Sequence, residues 1–278
     1  MKILISEGSG FCFGVKRAIQ AAFDTAGKEK EGVYTLGPII HNPQVVARLE
    51  EQGVRVLENP GDRDDVRVLI IRSHGVGPDV YKSASERGIT VVDATCPFVK
   101  TAQSHAETLT REGYQVVIVG DRAHPEVRGI LGYAGPDAIV FGKEDDATRF
   151  SIKRKVGIIS QTTQSFKMLQ RVIEEVLPYA GEVRIFNTIC NATRKRQQET
   201  GKLAESVDVM LVVGGKNSAN TRRLQSLCEA RGVPTYHIET ARELEPGWFT
   251  KAETVGITGG ASTPDWIIQE IAERLREL

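Results

Sequence analysis

Four cysteines are spread through the 278 residues, at positions 12, 96, 190 and 228. None belongs to a CxxC pair, so the sequence offers neither a paired zinc site nor a closely spaced disulfide framework. Cys12, Cys96 and Cys190 share one local setting: each ends a short apolar run and opens an amphipathic one, in KILISEGSGFCFGVKRAIQ, ITVVDATCPFVKTAQ and VRIFNTICNATRKRQ. A strand-to-helix turn places a residue beside the free N–H groups and partial positive charge of a helix start. That setting favours a thiolate and a negatively charged cluster bound to it. One cysteine in such a place is more often a small core residue. Three at equivalent turns point to iron–sulfur ligation. Cys228 shares a helical face with Leu224 and Leu227 in TRRLQSLCEARG and reads as core packing.

The count of three is informative. Structural zinc sites close with four ligands, and cubane clusters usually take four cysteines. A cluster on three would keep one iron without a protein thiolate, able to act as a Lewis acid toward a substrate oxygen. A pure electron carrier gains nothing from such an iron. Four readings stay open at this level: a reductive catalyst, a non-redox dehydratase, a sensor that binds a phosphorylated effector, and a zinc-binding or metal-free protein.

The polar residues supply the second half of a site. His41, His74 and His124 follow predicted strands, and two of them precede a proline closely, in HNPQVV and HPEVRG. Imidazoles beside helix N–H groups suit an anion. At matching places late in the chain stand Asn217-Ser218-Ala219-Asn220 and Ser262-Thr263, so short polar groups converge without a Lys/Arg cluster, as a diphosphate would need. Glu126 is the one acid in these second loops beside an anion-binding histidine, which makes it the candidate general acid. A first-turn acid complementing the helix dipole is the competing reading. Thr162 and Thr163 can orient a hydroxyl or cap a helix. His105 and His237 lack the context and read as structural.

These residues need a frame that repeats. Short β-branched runs alternate with amphipathic stretches, the pattern of α/β units with parallel strands. The three cysteines lie 84 and 94 residues apart, and a polar site follows each by 27 to 29 residues, at His41, His124 and Asn217. A further strand and polar loop follow at His74, Thr162 and Ser262. The predicted fold is α/β: three pseudo-equivalent units with small, mainly parallel sheets around a central cluster site. Their predicted bounds are 13–95, 96–189, and 190–278 plus 1–12. Functional loops at the carboxyl ends of parallel strands complete this expectation.

Composition excludes other classes. Lys+Arg and Asp+Glu are 36 each, so no nucleic-acid partner or anionic membrane surface is expected. The opening apolar run is too short for a signal peptide and no stretch reaches transmembrane length, so a cytoplasmic location is expected. Gly8-Ser9-Gly10-Phe11-Cys12-Phe13-Gly14 imitates a dinucleotide fingerprint, but its spacing is one residue too long. No acid ends the next strand to meet a ribose. The glycines are read as allowing the backbone to approach a bulky cluster.

The segments GFCFGVKRAI, IIHNPQVV, SHGV, DATCPFV, AHPEV, SQTTQS, NTICNATRKRQ, KNSANTRRL and GAST occur in this order over nearly the whole chain. In them the sequence resembles the 4-hydroxy-3-methylbut-2-enyl diphosphate reductases of the non-mevalonate isoprenoid pathway. The resemblance implies a [4Fe–4S] cluster on Cys12, Cys96 and Cys190. It implies diphosphate contacts from His41, His74, His124, Ser218, Asn220 and Ser262. It further implies proton delivery by Glu126, and placement of the substrate hydroxyl by Thr163 with Thr162 beside it. The implied reaction removes an allylic hydroxyl with two electrons and two protons and yields isopentenyl and dimethylallyl diphosphate. The implied electron donor is of the ferredoxin or flavodoxin type. Ala219 departs from the family, which often has a second serine there, so that loop offers one hydroxyl fewer.

Overall fold

The computed structural model describes residues 1–29 and 31–278. Its strands form three four-stranded sheets, and every pairing is parallel. One sheet holds β2 (Val33–Leu36), β3 (Arg55–Leu57), β4 (Val68–Ile71) and β5 (Thr90–Asp93) in the order β3-β2-β4-β5. A second holds β6 (Gln115–Val119), β7 (Ile139–Phe141), β8 (Lys155–Ser160) and β9 (Glu182–Ile185) in the order β7-β6-β8-β9. The third holds β10 (Val209–Val213), β11 (Thr235–Ile238) and β12 (Thr254–Gly259), with β1 (Lys2–Ile5) as its edge, in the order β1-β12-β10-β11. The plan is therefore the same three times, and the first strand of the chain closes the last sheet, with Ile5 opposite Ile257. The expected α/β class with small parallel sheets is the observed one.

Parallel neighbours need crossover connections, and helices supply them. They are α1 (Phe13–Lys28), α2 (Pro43–Glu51), α3 (Pro78–Glu86), α4 (Pro97–Arg111), α5 (Pro125–Leu131), α6 (Phe166–Val176), α7 (Asn191–Ala204), α8 (Ala219–Glu229) and α9 (Asp265–Arg276). Helices on both faces explain why the inner strands VLII, QVVIV and VMLVV are buried throughout and carry no polar alternation.

The chain divides into two compact units. One comprises residues 1–16, 40–46 and 191–278 and contains the third sheet. There Val209, Leu211 and Val213 pack with Ile267, Ile271 and Leu275 of α9, while Met210 and Val212 pack with Leu224 and Cys228 of α8. The period of two along β10 thus sorts its side chains to opposite faces. The other unit comprises 17–39 and 47–190 and contains the first two sheets. Here Val116 and Ile118 of β6 meet Ala102, Leu109, Val127 and Ile130, and Val117 and Val119 meet Leu169, Val172 and Val176 of α6. Burying each such side chain contributes about 1.5–3 kcal/mol, enough to fix the strand ends from which the polar loops leave.

Candidate functional site

Cys12, Cys96 and Cys190 each stand directly before a helix, α1, α4 and α7. None of the four cysteines is in a disulfide. The three are held alike. The backbone N–H of Cys12 donates to the Ala261 carbonyl at 3.1 Å, that of Cys96 to Ser73 at 3.0 Å, and that of Cys190 to Thr162 at 2.9 Å. Each acceptor is the second residue past the end of the adjoining strand, β12, β4 or β8. The third residues past those ends are Ser262, His74 and Thr163. The sequence pattern pairs Thr162 with His74; the strand ends move that equivalence to Thr163. Cys228 differs: it is fully buried, and burial pushes its thiol up from about 9 to about 12.

The second set of loops leaves β2, β6 and β10 through Gly37, Gly120 and Gly214. Their N–H groups donate to the ends of the outer strands, at Leu57 (2.6 Å), Phe141 (3.1 Å) and Ile238 (2.9 Å). Gly37 has φ +67°, a backbone conformation that favours glycine, and its Cα lies against the Arg72 guanidinium. Five residues past each strand stand His41, His124 and Ser218. Counting from strand ends thus replaces the expected Asn217 with Ser218, and it sets Asn220 at the position of Glu126. Each helix start has its own cap. Asn42 Oδ1 accepts from Val45 N–H (3.0 Å), His124 Nδ1 from Glu126 N–H (3.2 Å), and Ser218 Oγ from Thr221 N–H (3.3 Å). As an acceptor at Nδ1, a neutral His124 carries its proton on Nε2.

In the unit with the first two sheets, His74, His124, Glu126, Thr162 and Thr163 come together. Glu126 is 2% exposed. Thr162 donates its N–H to Glu126 Oε1 at 2.5 Å and its hydroxyl to Oε2 at 2.9 Å. Both carboxyl oxygens are therefore fixed by one residue of the neighbouring loop. The rings of His74 and His124 meet edge to face at 5.2 Å. Gln161 donates to the Thr163 hydroxyl at 3.1 Å and accepts from Asp121 N–H at 3.2 Å, tying the loops after β6 and β8 together. Close approach of α5 to the His74 loop depends on Gly132, where a Cβ would sit 2.8 Å from Gly77 Cα. Thr162 and Thr163 do not cap α6; Ser165 does, accepting from Met168 N–H.

In the other unit the structure brings His41 against Ser262 and against Gly215, whose loop leads into Ser218, Ala219 and Asn220. Ser262 Oγ donates to the His41 carbonyl at 3.4 Å, and the bare Cα of Gly215 lies against the same carbonyl. Asn220 is 4% exposed, and neither atom of its amide has a hydrogen-bond partner among the described residues. A buried amide left this way costs about 1–3 kcal/mol per unpaired group unless a ligand pairs it. Ser218 and Ser262 are also buried, each at a strand-to-helix turn.

Sequence reasoning passed over three residues that build this site. Asn42 caps α2, a role its place in HNPQVV signals. Gln161 braces Thr163, which no local pattern reveals. Arg72, next to Ser73 and behind Gly37, is half-buried; burial lowers its pKa while Glu58 opposes and Arg128 adds to the effect. His105 and His237 serve the frame: His105 stacks on Phe186 at 3.9 Å, and His237 Nε2 bonds the Gly214 carbonyl at 2.7 Å.

Parallel sheets whose carboxyl-end loops carry thiols, imidazoles and a buried acid define an α/β enzyme. The donor set of three thiols at helix starts, outside any disulfide, fits an iron–sulfur group. The LytB protein family model matches residues 3–276. A curated relative from Pelobacter propionicus, named 4-hydroxy-3-methylbut-2-enyl diphosphate reductase, is 52% identical over 100% of this chain and 99% of its own. One of the same name from Geobacter metallireducens is 53% identical over 100% and 98%. A solved structure of (E)-4-hydroxy-3-methyl-but-2-enyl diphosphate reductase, described as the terminal enzyme of the non-mevalonate pathway, is 45% identical over both full chains with TM-score 0.72. That of the Plasmodium falciparum reductase has TM-score 0.90 at 26% identity, covering 100% of this chain and 87% of its own. The chain belongs to the LytB family and is an oxidoreductase. No helix among the described residues is long and apolar enough to cross a membrane.

Proposed function

We propose that this chain reduces 4-hydroxy-3-methylbut-2-enyl diphosphate to isopentenyl and dimethylallyl diphosphate. Two electrons and two protons are taken up and the allylic hydroxyl leaves as water. The cofactor is a [4Fe–4S] cluster on Cys12, Cys96 and Cys190, and the donor is a cytoplasmic protein of the ferredoxin or flavodoxin type. When bound, the cluster supplies the reducing electrons and a Lewis-acidic iron that no protein thiolate covers.

The chain's own residues bind, orient and protonate. His41, His74, His124, Ser218, Asn220 and Ser262 hold the diphosphate through short hydrogen bonds, which explains why a buried amide at Asn220 is left waiting. Ala219 contributes backbone and no hydroxyl. Thr163, braced by Gln161, positions the substrate hydroxyl, with Thr162 beside it. The observation that carries the reading is Glu126. A buried carboxyl beside an anion site is repelled unless it carries or passes a proton, and Thr162 holds both its oxygens in place for that task.

Purification without oxygen tests the reading. The protein should be brown, contain iron and sulfide, and convert the allylic diphosphate only with a reductant. A colourless protein that turns over, or turnover without reductant, sinks it. Cys228→Ser should keep the cluster, whereas serine at position 12, 96 or 190 should lose it.

A further inference from the structure

The approaches to two of the cysteines are clamped by arginines for which the reaction above has no use. Arg196 lies on α7, six residues past Cys190, and is 5% exposed. It donates Nε to the Gly8 carbonyl at 2.7 Å and Nη2 to the Gly10 carbonyl at 2.8 Å. Arg17 lies on α1, five residues past Cys12. It donates Nη1 to the Thr95 carbonyl at 2.7 Å and Nη2 to the Asp93 carbonyl at 3.2 Å. In both cases one guanidinium fork spans two carbonyls separated by a single residue, in the last stretch of chain before a cysteine.

The clamps run in one direction. The helix that follows Cys190 holds the approach to Cys12, and the helix that follows Cys12 holds the approach to Cys96. The helix that follows Cys96 meets the approach to Cys190 through the stack of His105 on Phe186. A Cβ at Gly8 would lie 2.2 Å from Glu199 Oε2 of the helix that carries Arg196, and one at Gly10, where φ is +98°, would lie 1.9 Å from Asp265 Oδ1. Ser9 Oγ accepts from Gly259 N–H at 3.0 Å, so the loop is pinned on its other side too. Ahead of Cys96, the Asp93 carboxylate accepts from Thr95 N–H at 2.9 Å and pairs with Lys100 at 2.6 Å.

We propose that Arg196 and Arg17 are positioning residues for Cys12 and Cys96, each setting a cysteine other than the one that starts its own helix. Carbonyls turned to one side of a loop need donors, and a planar fork satisfies two of them at fixed geometry. A lysine supplies the charge without the fork. The positioning stands on the hydrogen bonds themselves; its effect on a cluster rests on the reading proposed above.

The test uses the full-length chain with Arg196→Gln, Arg196→Lys, Arg17→Gln and Arg17→Lys, and Arg149→Gln at an exposed ion pair as control. Iodoacetamide labelling of the metal-stripped protein is mapped cysteine by cysteine. Arg196→Gln should speed labelling of Cys12, and Arg17→Gln that of Cys96, by about five- to thirtyfold, the range for losing charge-assisted bonds in a local opening. The lysine variants should recover only part of this. Cys228 should stay unlabelled and so report an intact fold; where a glutamine variant labels Cys228, its lysine counterpart carries the test. In protein purified without oxygen, iron release to a chelator should quicken in the same variants, with an altered paramagnetic resonance spectrum after reduction. Unchanged labelling, or an equal rise at all three site cysteines, overturns the proposal. Cysteine-specific labelling in a chain that never binds iron would uphold the positioning and sink the cluster reading.

Discussion

The turn after β6 and the turn after β10 follow one plan and differ in what they leave unfinished. Both leave the strand through glycine, cap a helix five residues on, and bury a polar side chain at the seventh. In the first that side chain is Glu126, and Thr162 satisfies both its oxygens. In the second it is Asn220, and nothing in the described chain meets its amide. On the proposed reading, Glu126, which Thr162 already satisfies, serves the chemistry, because its orientation does not depend on what binds. On the same reading Asn220, whose amide is left incomplete, serves binding, because a ligand would offset the cost of burying it.

Three substitutions can break or sharpen this contrast. Glu126→Gln keeps the shape and loses the proton; kcat should fall by about 10²–10⁴, the usual weight of a general acid, with KM little changed. A retained kcat would remove Glu126 from the chemistry. Asn220→Leu should act on the other side. Substrate binding should weaken about tenfold or more, as for a lost bond to a charged group, while the free protein gains ~1 kcal/mol, or about 2–4 °C in Tm. Thermal unfolding of the free enzyme checks this, and a lower Tm would mean that the amide is already paired. Thr162→Val should do the reverse in the first turn, costing ~1 kcal/mol in the free protein because a buried carboxyl loses one of its donors.

The smallest effect concerns the cysteine outside the site. The Cys228 thiol is raised from about 9 to about 12 by burial, so the folded state resists its ionisation. The stability this gives is fully present below pH ~9 and is lost as pH rises through about 12, since only the unfolded chain ionises between them. Urea titrations from neutral to alkaline pH should show Cys228→Ala lacking that part of the decline. An identical pH dependence in both proteins would place the thiol in contact with solvent.

The threefold plan was legible in the sequence because it rests on local signals: β-branched runs for buried strands, a cysteine or histidine next to a helix start, and proline inside it. The strand leading to Cys12 was also legible as one of three alike. What one sequence could not resolve is where a strand stops. In SQTTQS both threonines fit the loop, and in GGKNSAN both Asn217 and Ser218 do; only the backbone bonds of Cys190 and Gly214 choose Thr163 and Ser218 as the equivalents. The clamps were invisible for another reason. Arg17 reaches 78 residues ahead and Arg196 reaches 188 back, and no periodicity connects such partners. The crowding at Gly8 and Gly10 likewise involves Glu199 and Asp265, far along the chain.

The pairing of β1 with β12 sets the order in which the protein can be finished during synthesis. The first two sheets are each built from contiguous chain and can close while translation continues. The third cannot, because its edge is residues 2–5 and their partners are residues 254–257. Cys12 leaves the ribosome before the other cysteines and is the last to be set in place. Placement of Cys12 therefore waits until residues 254–257 have been made, and a protein truncated before residue 254 would hold its first strand, and the thiol behind it, without a sheet to join.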